Sequence, residues 1–229
     1  MTNPRITPET AAKASRHWPL ISALTAFGLV AALALVIVYR EANKPFGFEV
    51  EWMGEIVEHR GQPWTALAMV FNSIGGGILA IAVIPVVIIV ALLLFRRPWA
   101  AVYYSSATIL TTVLVQVVKY LVHRPRPTEI LVATDPGSFP SGHSANAAVM
   151  AATLAIIFPR VWVWVLGSIY TIGMMLSRTY LGAHWISDTV GGLLIGIGVA
   201  IMLWAPLATR LHRESELAHP PIWQRLPGT

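Results

Sequence analysis

Residues 18–39 read WPLISALTAFGLVAALALVIVY, an uncharged run that ends in Tyr39-Arg40. About 20 apolar residues in a helix match the hydrocarbon thickness of a bilayer. A cleaved secretory signal is the competing reading, since Arg5, Lys13 and Arg16 precede the run and small residues lie near Ala32 and Ala34. A signal core is about 7–15 residues long. This run is longer and closes on an interfacial Tyr-Arg anchor, so it reads as a retained span.

The rest of the chain agrees. Its 229 residues are 55% hydrophobic and only 12% charged, whereas soluble domains carry about 25% charged residues. Further apolar runs cover about 64–95, 99–122, 141–158, 161–177 and 186–207. The expected fold class is all-α: a polytopic membrane protein with six transmembrane helices in a bundle over 18–208, flanked by polar tails at 1–17 and 209–229. Gly75-Gly76-Gly77 and Pro85 are bend points for the second span. Gly192, Gly196 and Ala200 recur at four-residue spacing, which lets helices pack closely. The tail beyond Arg210, with Pro220-Pro221, reads as weakly ordered.

The absence of cysteine excludes disulfides, thiolate metal sites and cysteine nucleophiles. The net charge of +5 reports membrane orientation and contact with anionic lipid, and no nucleic-acid partner is expected. Residues 40–63 hold five of the eleven acids: Glu41, Glu49, Glu51, Glu55 and Glu58. They are too scattered for a metal site. The period at 52–57 fits a helix along the membrane surface, and a solvated loop fits equally well.

Six spans put both termini on one side. The N-terminal tail, Arg96-Arg97, Arg160, Arg210 and Arg213 then share a face, which the positive-inside rule assigns to the cytoplasm of a cell membrane. The opposite face receives the acidic 40–63 segment and the connectors 123–142 and 178–185. It also receives Lys119, Arg124, Arg126 and Arg178, against the rule, so those cations need another purpose.

Three clusters lie there: Lys119, six residues, then Arg126-Pro127; Pro140-Ser141-Gly142-His143 before an apolar run; and Ser177-Arg178, five residues, His184, three residues, Asp188. Each has an ordinary explanation alone: a snorkelling lysine, solvated arginines, a turn feeding a helix, an i,i+4 pair. Together they place cations, two histidines and an aspartate on one membrane face, where ionisable residues mark function.

The joint chemistry suits a phosphoester at the outer membrane–water boundary. Lys119, Arg126 and Arg178 can neutralise phosphoryl oxygens, helped by the helix-start N–H groups around Ser141, Gly142 and His143. Asp188, one helical turn from His184, can accept from one ring nitrogen and leave the other free to attack phosphorus. His143 has no such partner nearby in sequence and takes the role of general acid.

These three motifs, in order and at these spacings, resemble the tripartite signature of the type 2 phosphatidic acid phosphatase family. The resemblance implies a phosphatase without metal or other cofactor, working through a phosphohistidine on His184 that water then hydrolyses. It also implies membrane lipid phosphates or diphosphates as substrates; in bacterial members these include undecaprenyl diphosphate, phosphatidylglycerol phosphate and phosphatidic acid. Soluble acid phosphatases and haloperoxidases share the signature, and the apolar spans argue against both.

Two rivals remain at this stage. A serine hydrolase using Ser141, a histidine and Asp188 leaves the cations unexplained and lacks a Gly-x-Ser-x-Gly elbow. A lipid-phosphate binder or transporter leaves the histidines without a task. Gln116 and Asn146 either orient site residues or bond between helices. Arg124 either reaches the second phosphate of a diphosphate or is a solvated flank.

Overall fold

The computed structural model describes residues 8–40 and 43–224, and every regular element in them is helical. The helices are α1 (Pro8–Tyr39), α2 (Gly47–Glu58), α3 (Gln62–Gly75), α4 (Ile84–Leu94), α5 (Pro98–Val122), α6 (Gly142–Ile157), α7 (Val161–Tyr180) and α8 (Ile186–Ser215), with a π-helical turn, Leu79–Val83, leading into α4.

Apolar side chains are turned outward. Leu24, Ile78, Ile109, Val161 and Ile169 are exposed, while much of the interior is built from small residues such as Ala107, Ala145, Ser144, Thr153 and Ala200. Hydrocarbon offers no hydrophobic drive to hide leucine, so membrane helices associate through close packing of small groups. Gly192 and Gly196 of α8 show this: a Cβ on Gly196 would lie 2.5 Å from the Ala145 carbonyl of α6, and one on Gly192 would overlap the Ser141 carbonyl. Their four-residue spacing is the α6–α8 seam. Tyr103 of α5 ties to the same seam, donating to the Ala200 carbonyl at 2.9 Å.

Among the described residues, four helices are long and apolar enough to cross a bilayer: His17–Tyr39, Pro98–Val122, Val161–Tyr180 and Ile186–Ser215. Gln62–Gly75 and Leu79–Leu94, bent by 47° at the glycine break, make a fifth span if taken together. The run expected at 141–158 is the 16-residue α6, about 24 Å long. That is shorter than a bilayer core of about 30 Å. α6 is surrounded by α5, α7 and α8, so its length is matched to its neighbours rather than to lipid.

Three sequence expectations change. The solvated-loop alternative for 40–63 gives way to α2, whose Glu49 is buried. The polar tail expected over 1–17 is helical from Pro8, and residues 1–7 lie outside the described ones. The C-terminal tail is held in place as far as Gln224: α8 runs through Ser215, Ile222 N–H donates to the Leu94 carbonyl at 2.9 Å, and Arg96 donates to the Ile222 and Gln224 carbonyls. The reason is capping. Glu214 accepts from Trp99 N–H at 2.7 Å and Ala100 N–H at 3.0 Å, filling the free donors at the start of α5. Residues 225–229 lie outside the described ones.

The other end of the bundle is interlocked. Arg60, between α2 and α3, donates to the carbonyls of Glu129 and Tyr180. Leu131 N–H donates to the Leu181 carbonyl at 2.9 Å. Gly182, at φ +67°, packs where a Cβ would overlap Glu129 backbone. The 123–141 connector is therefore clamped onto the loop that carries His184.

Candidate active site

A cavity of about 310 Å³ opens at this end, lined by Lys119, Arg126, Gly142, His143, Arg178 and His184. These come from the last turn of α5, the connector, the start of α6, the last turn of α7 and the α7–α8 loop. The cations and both histidines of the three sequence clusters thus meet in one place, with Asp188 behind His184. Asp135, Gln116, Asn146 and the Gly75–Gly77 break line the same space.

His184 is 2% exposed. Its Nε2 lies 3.3 Å from Arg126 Nη1. A guanidinium has only donors, so Nε2 is the acceptor and Nδ1 carries the proton. Nδ1 faces Asp188 Oδ2 at 3.6 Å, longer than a hydrogen bond. The Nε2 lone pair is thus directed to the cationic side. Burial, and then the charges of Arg126, Arg178 and Lys119, hold this imidazole well below its ordinary pKa, so it is neutral.

Asp188 is fully buried at the start of α8 and does not line the cavity. Its Oδ2 caps the helix by accepting from Trp185 N–H at 2.8 Å, and Oδ1 accepts from Arg124 Nη1 at 2.6 Å. Arg124 is itself fully buried. Both sequence readings of Arg124 are therefore overturned: it is neither a solvated flank nor within reach of a second phosphate, because two buried carboxylates, Asp188 and Glu49, draw it inward.

His143 is on the first turn of α6, with its ring against the glycine break. A Cβ on Gly75 would come within 3.3 Å of Cδ2, and one on Gly76 would overlap Nε2. His143 Nε2 has no hydrogen-bond partner among the described residues. Arg178 is 1% exposed and donates from Nη1 to Asn72 Oδ1 of α3.

Ser141 is placed differently from the others. Its hydroxyl is fully buried as the N-cap of α6, accepting from Ser144 N–H at 3.4 Å and from the Ser144 hydroxyl at 3.2 Å. It does not line the cavity, which removes the basis of the serine-hydrolase alternative. Gly142 does line it and presents the helix start there.

The sequence reading missed Asp135, Glu49 and the seating of His143 on Gly75-Gly76. Asp135 bridges the cations: Oδ2 accepts from Lys119 Nζ at 2.8 Å and Oδ1 from Arg126 Nη2 at 2.9 Å. Asp135-Pro136-Gly137 reads as a turn, and nothing in that signal pairs it with a lysine sixteen residues earlier. Among the described residues no three His, Cys, Asp or Glu side chains form a group that could hold a metal ion.

The PAP2 superfamily model matches residues 100–211. An undecaprenyl-diphosphatase of Sulfolobus acidocaldarius is 33% identical over 101 residues, covering 41% of this chain and 48% of that protein. Phosphatidylglycerophosphatase B of Bacillus subtilis is 32% identical over 92 residues, covering 36% and 45%. The chain thus matches about half the length of these curated relatives. The crystal structure of a transmembrane PAP2 type phosphatidylglycerolphosphate phosphatase from Bacillus subtilis superposes with a TM-score of 0.72 at 22% identity, over 82% of this chain and 96% of that one. That likeness concerns the fold.

Proposed function

We propose, from the match of residues 100–211 to the PAP2 superfamily, that this protein is an integral-membrane phosphatase that hydrolyses a lipid phosphate or diphosphate through a phosphohistidine on His184. The observation that carries the reading is the His184 ring itself. Its Nε2 faces the cations, while Nδ1–H faces a buried carboxylate.

The phosphoryl group occupies the cavity among Lys119, Arg126, Arg178 and the start of α6, which spread and neutralise its charge. Arg126 turns from Nε2 to a phosphoryl oxygen. His184 Nε2 bonds to phosphorus as the ester or anhydride oxygen leaves, taking a proton from His143. Asp188 accepts from Nδ1–H and balances the positive charge gained by the ring. Water then attacks the phosphohistidine and gives a proton back to His143, which returns both histidines to their starting state. The protein needs no cofactor in this scheme.

The lipid class is supported by the exposed apolar belt on the helices that carry the cavity. Relatives named for undecaprenyl diphosphate and phosphatidylglycerophosphate point the same way. Within this reading α6 completes a six-span bundle, both termini are cytoplasmic and the cavity faces outward, as the distribution of basic residues favours.

The test is phosphate release in detergent with chelator present, comparing polyprenyl diphosphate, phosphatidylglycerol phosphate and phosphatidic acid. Release from at least one lipid, lost in His184→Ala and His143→Ala, is the expected result. Intact return of every lipid contradicts the reading and favours a binder.

A further inference from the structure

Glu49 belongs to none of the three sequence clusters, yet it is 1% exposed. Its Oε2 accepts from Arg124 Nη2 at 2.7 Å and from Phe46 N–H at 2.9 Å. Its Oε1 accepts from the Ser187 N–H at 2.9 Å and from the Ser187 hydroxyl. On the other edge of the same guanidinium, Arg124 Nη1 donates to Asp188 Oδ1 at 2.6 Å and to Ser187 Oγ at 2.7 Å. The rings of Phe46 and Trp185 lie 5.8 and 5.9 Å from Arg124 Cζ. Two carboxylates and one guanidinium are thus enclosed together, with Asp188 facing His184.

Burying such a group costs more than packing apolar side chains of the same volume. Its value must therefore lie in what it holds. Arg124 paired with Asp188 alone would cancel the carboxylate that His184 needs. Glu49 takes the second edge of the guanidinium, so Asp188 is not its only counter-charge.

We propose that Glu49 and Arg124 are positioning residues for the reaction, acting on His184 through Asp188. This rests on His184 being the nucleophile. Arg124 and the Trp185 N–H fix the Asp188 carboxylate from two directions, and Glu49 preserves its charge for the moment when Nε2 bonds to phosphorus and Nδ1–H becomes more acidic. Helix α2, far from the motifs in sequence, is thereby part of the catalytic apparatus.

The experiment uses the full-length protein in detergent, with Glu49→Gln as the main variant and His184→Ala alongside. Glu49→Gln keeps shape and one hydrogen-bonding oxygen while removing the charge. Its kcat should fall about tenfold or more with KM within about twofold, the signature of a lost transition-state interaction. Inhibition by vanadate, which adopts the five-coordinate geometry of attacked phosphorus, should weaken in step, whereas inhibition by inorganic phosphate should not change. A purely structural role would move phosphate inhibition as well and would overturn the proposal. So would wild-type kcat in Glu49→Gln while His184→Ala is inactive, a result that leaves the nucleophile reading standing. Activity retained in His184→Ala overturns both. If Glu49→Gln is not recovered folded, Arg124→Lys decides, since it keeps the positive charge but cannot hold Asp188 and Glu49 on two edges at once: lowered kcat at unchanged KM supports the proposal, and wild-type kcat overturns it.

Discussion

The Asp135 carboxylate accepts a hydrogen bond from Lys119 Nζ at 2.8 Å, and among the described residues it is the one acid lining the cationic cavity. Burial pushes its pKa up, but the Lys119 hydrogen bond and the charges of Lys119 and Arg126 outweigh this and hold it below the usual carboxylate range. Asp135 is therefore ionised at neutral pH and sits where a phosphoryl group needs the same donors. Substrate must displace it. Asp135→Asn should lower KM and strengthen inhibition by inorganic phosphate by a few fold, since a half-exposed ion pair contributes at most about 1 kcal/mol. Weaker phosphate inhibition would show instead that Asp135 is needed to hold the two cations in place.

Gly76 has extended backbone, φ −131° and ψ 176°, so alanine is tolerated there conformationally. Its Cβ, however, would overlap His143 Nε2 and lie 3.0 Å from Cε1. Gly76→Ala should displace the imidazole and lower kcat by about a hundredfold, with insertion unaffected. Gly77 provides the contrast: φ is +58° and a Cβ there meets nothing within 4 Å. Gly77→Ala should cost about 1 kcal/mol of stability and leave kcat close to wild type. Equal kcat losses in the two variants would contradict the seating of His143 on this break.

The neutral state of His184 has a consequence for acid stability. Its folded pKa is depressed by burial and nearby cations, while the unfolded chain protonates it near about 6.5. Below that pH the unfolded state binds more protons, so stability present above about 6.5 is lost as pH falls. His184→Asn removes this contribution. Thermal unfolding compared at about pH 7 and about pH 5 should show a smaller acid loss in the variant, by at most about 1.4 kcal/mol per pH unit. An identical loss in both proteins would contradict a buried neutral His184.

The α6–α8 seam depends on the absence of a side chain at Gly196, where a Cβ would come 2.8 Å from both the Ala148 Cβ and the Val149 nitrogen. Gly196→Ala should destabilise by about 1–3 kcal/mol through overpacking, read as a lower unfolding temperature in detergent. Unchanged stability would mean that the helices part without cost.

Much of the site was legible in the sequence because its chemistry is local. Lys119 and Arg126 share one short segment, His143 follows a turn at a helix start, and His184 and Asp188 are one turn apart. Ionisable residues in so apolar a chain stand out. What was not legible depends on long-range partners. Glu49 reads as one of several scattered acids, and only α2 folding back onto the start of α8, 138 residues away, turns it into a buried ligand of Ser187. Arg124 reads as solvated because charge is normally exposed, and two distant carboxylates reverse that. The glycine break was expected to bend a span, which it does, but seating a histidine from α6 leaves no mark in the local sequence. Ser141 shows the converse: its place beside His143 suggested a phosphate ligand, whereas the same position makes it the N-cap of α6.

The central claim is that His184 attacks phosphorus, and rapid-quench trapping with a lipid phosphate labelled with radioactive phosphorus tests it most directly. The account expects an alkali-stable, acid-labile label on His184, lost in His184→Ala together with phosphate release. Phosphate release by His184→Ala at the wild-type rate would contradict it.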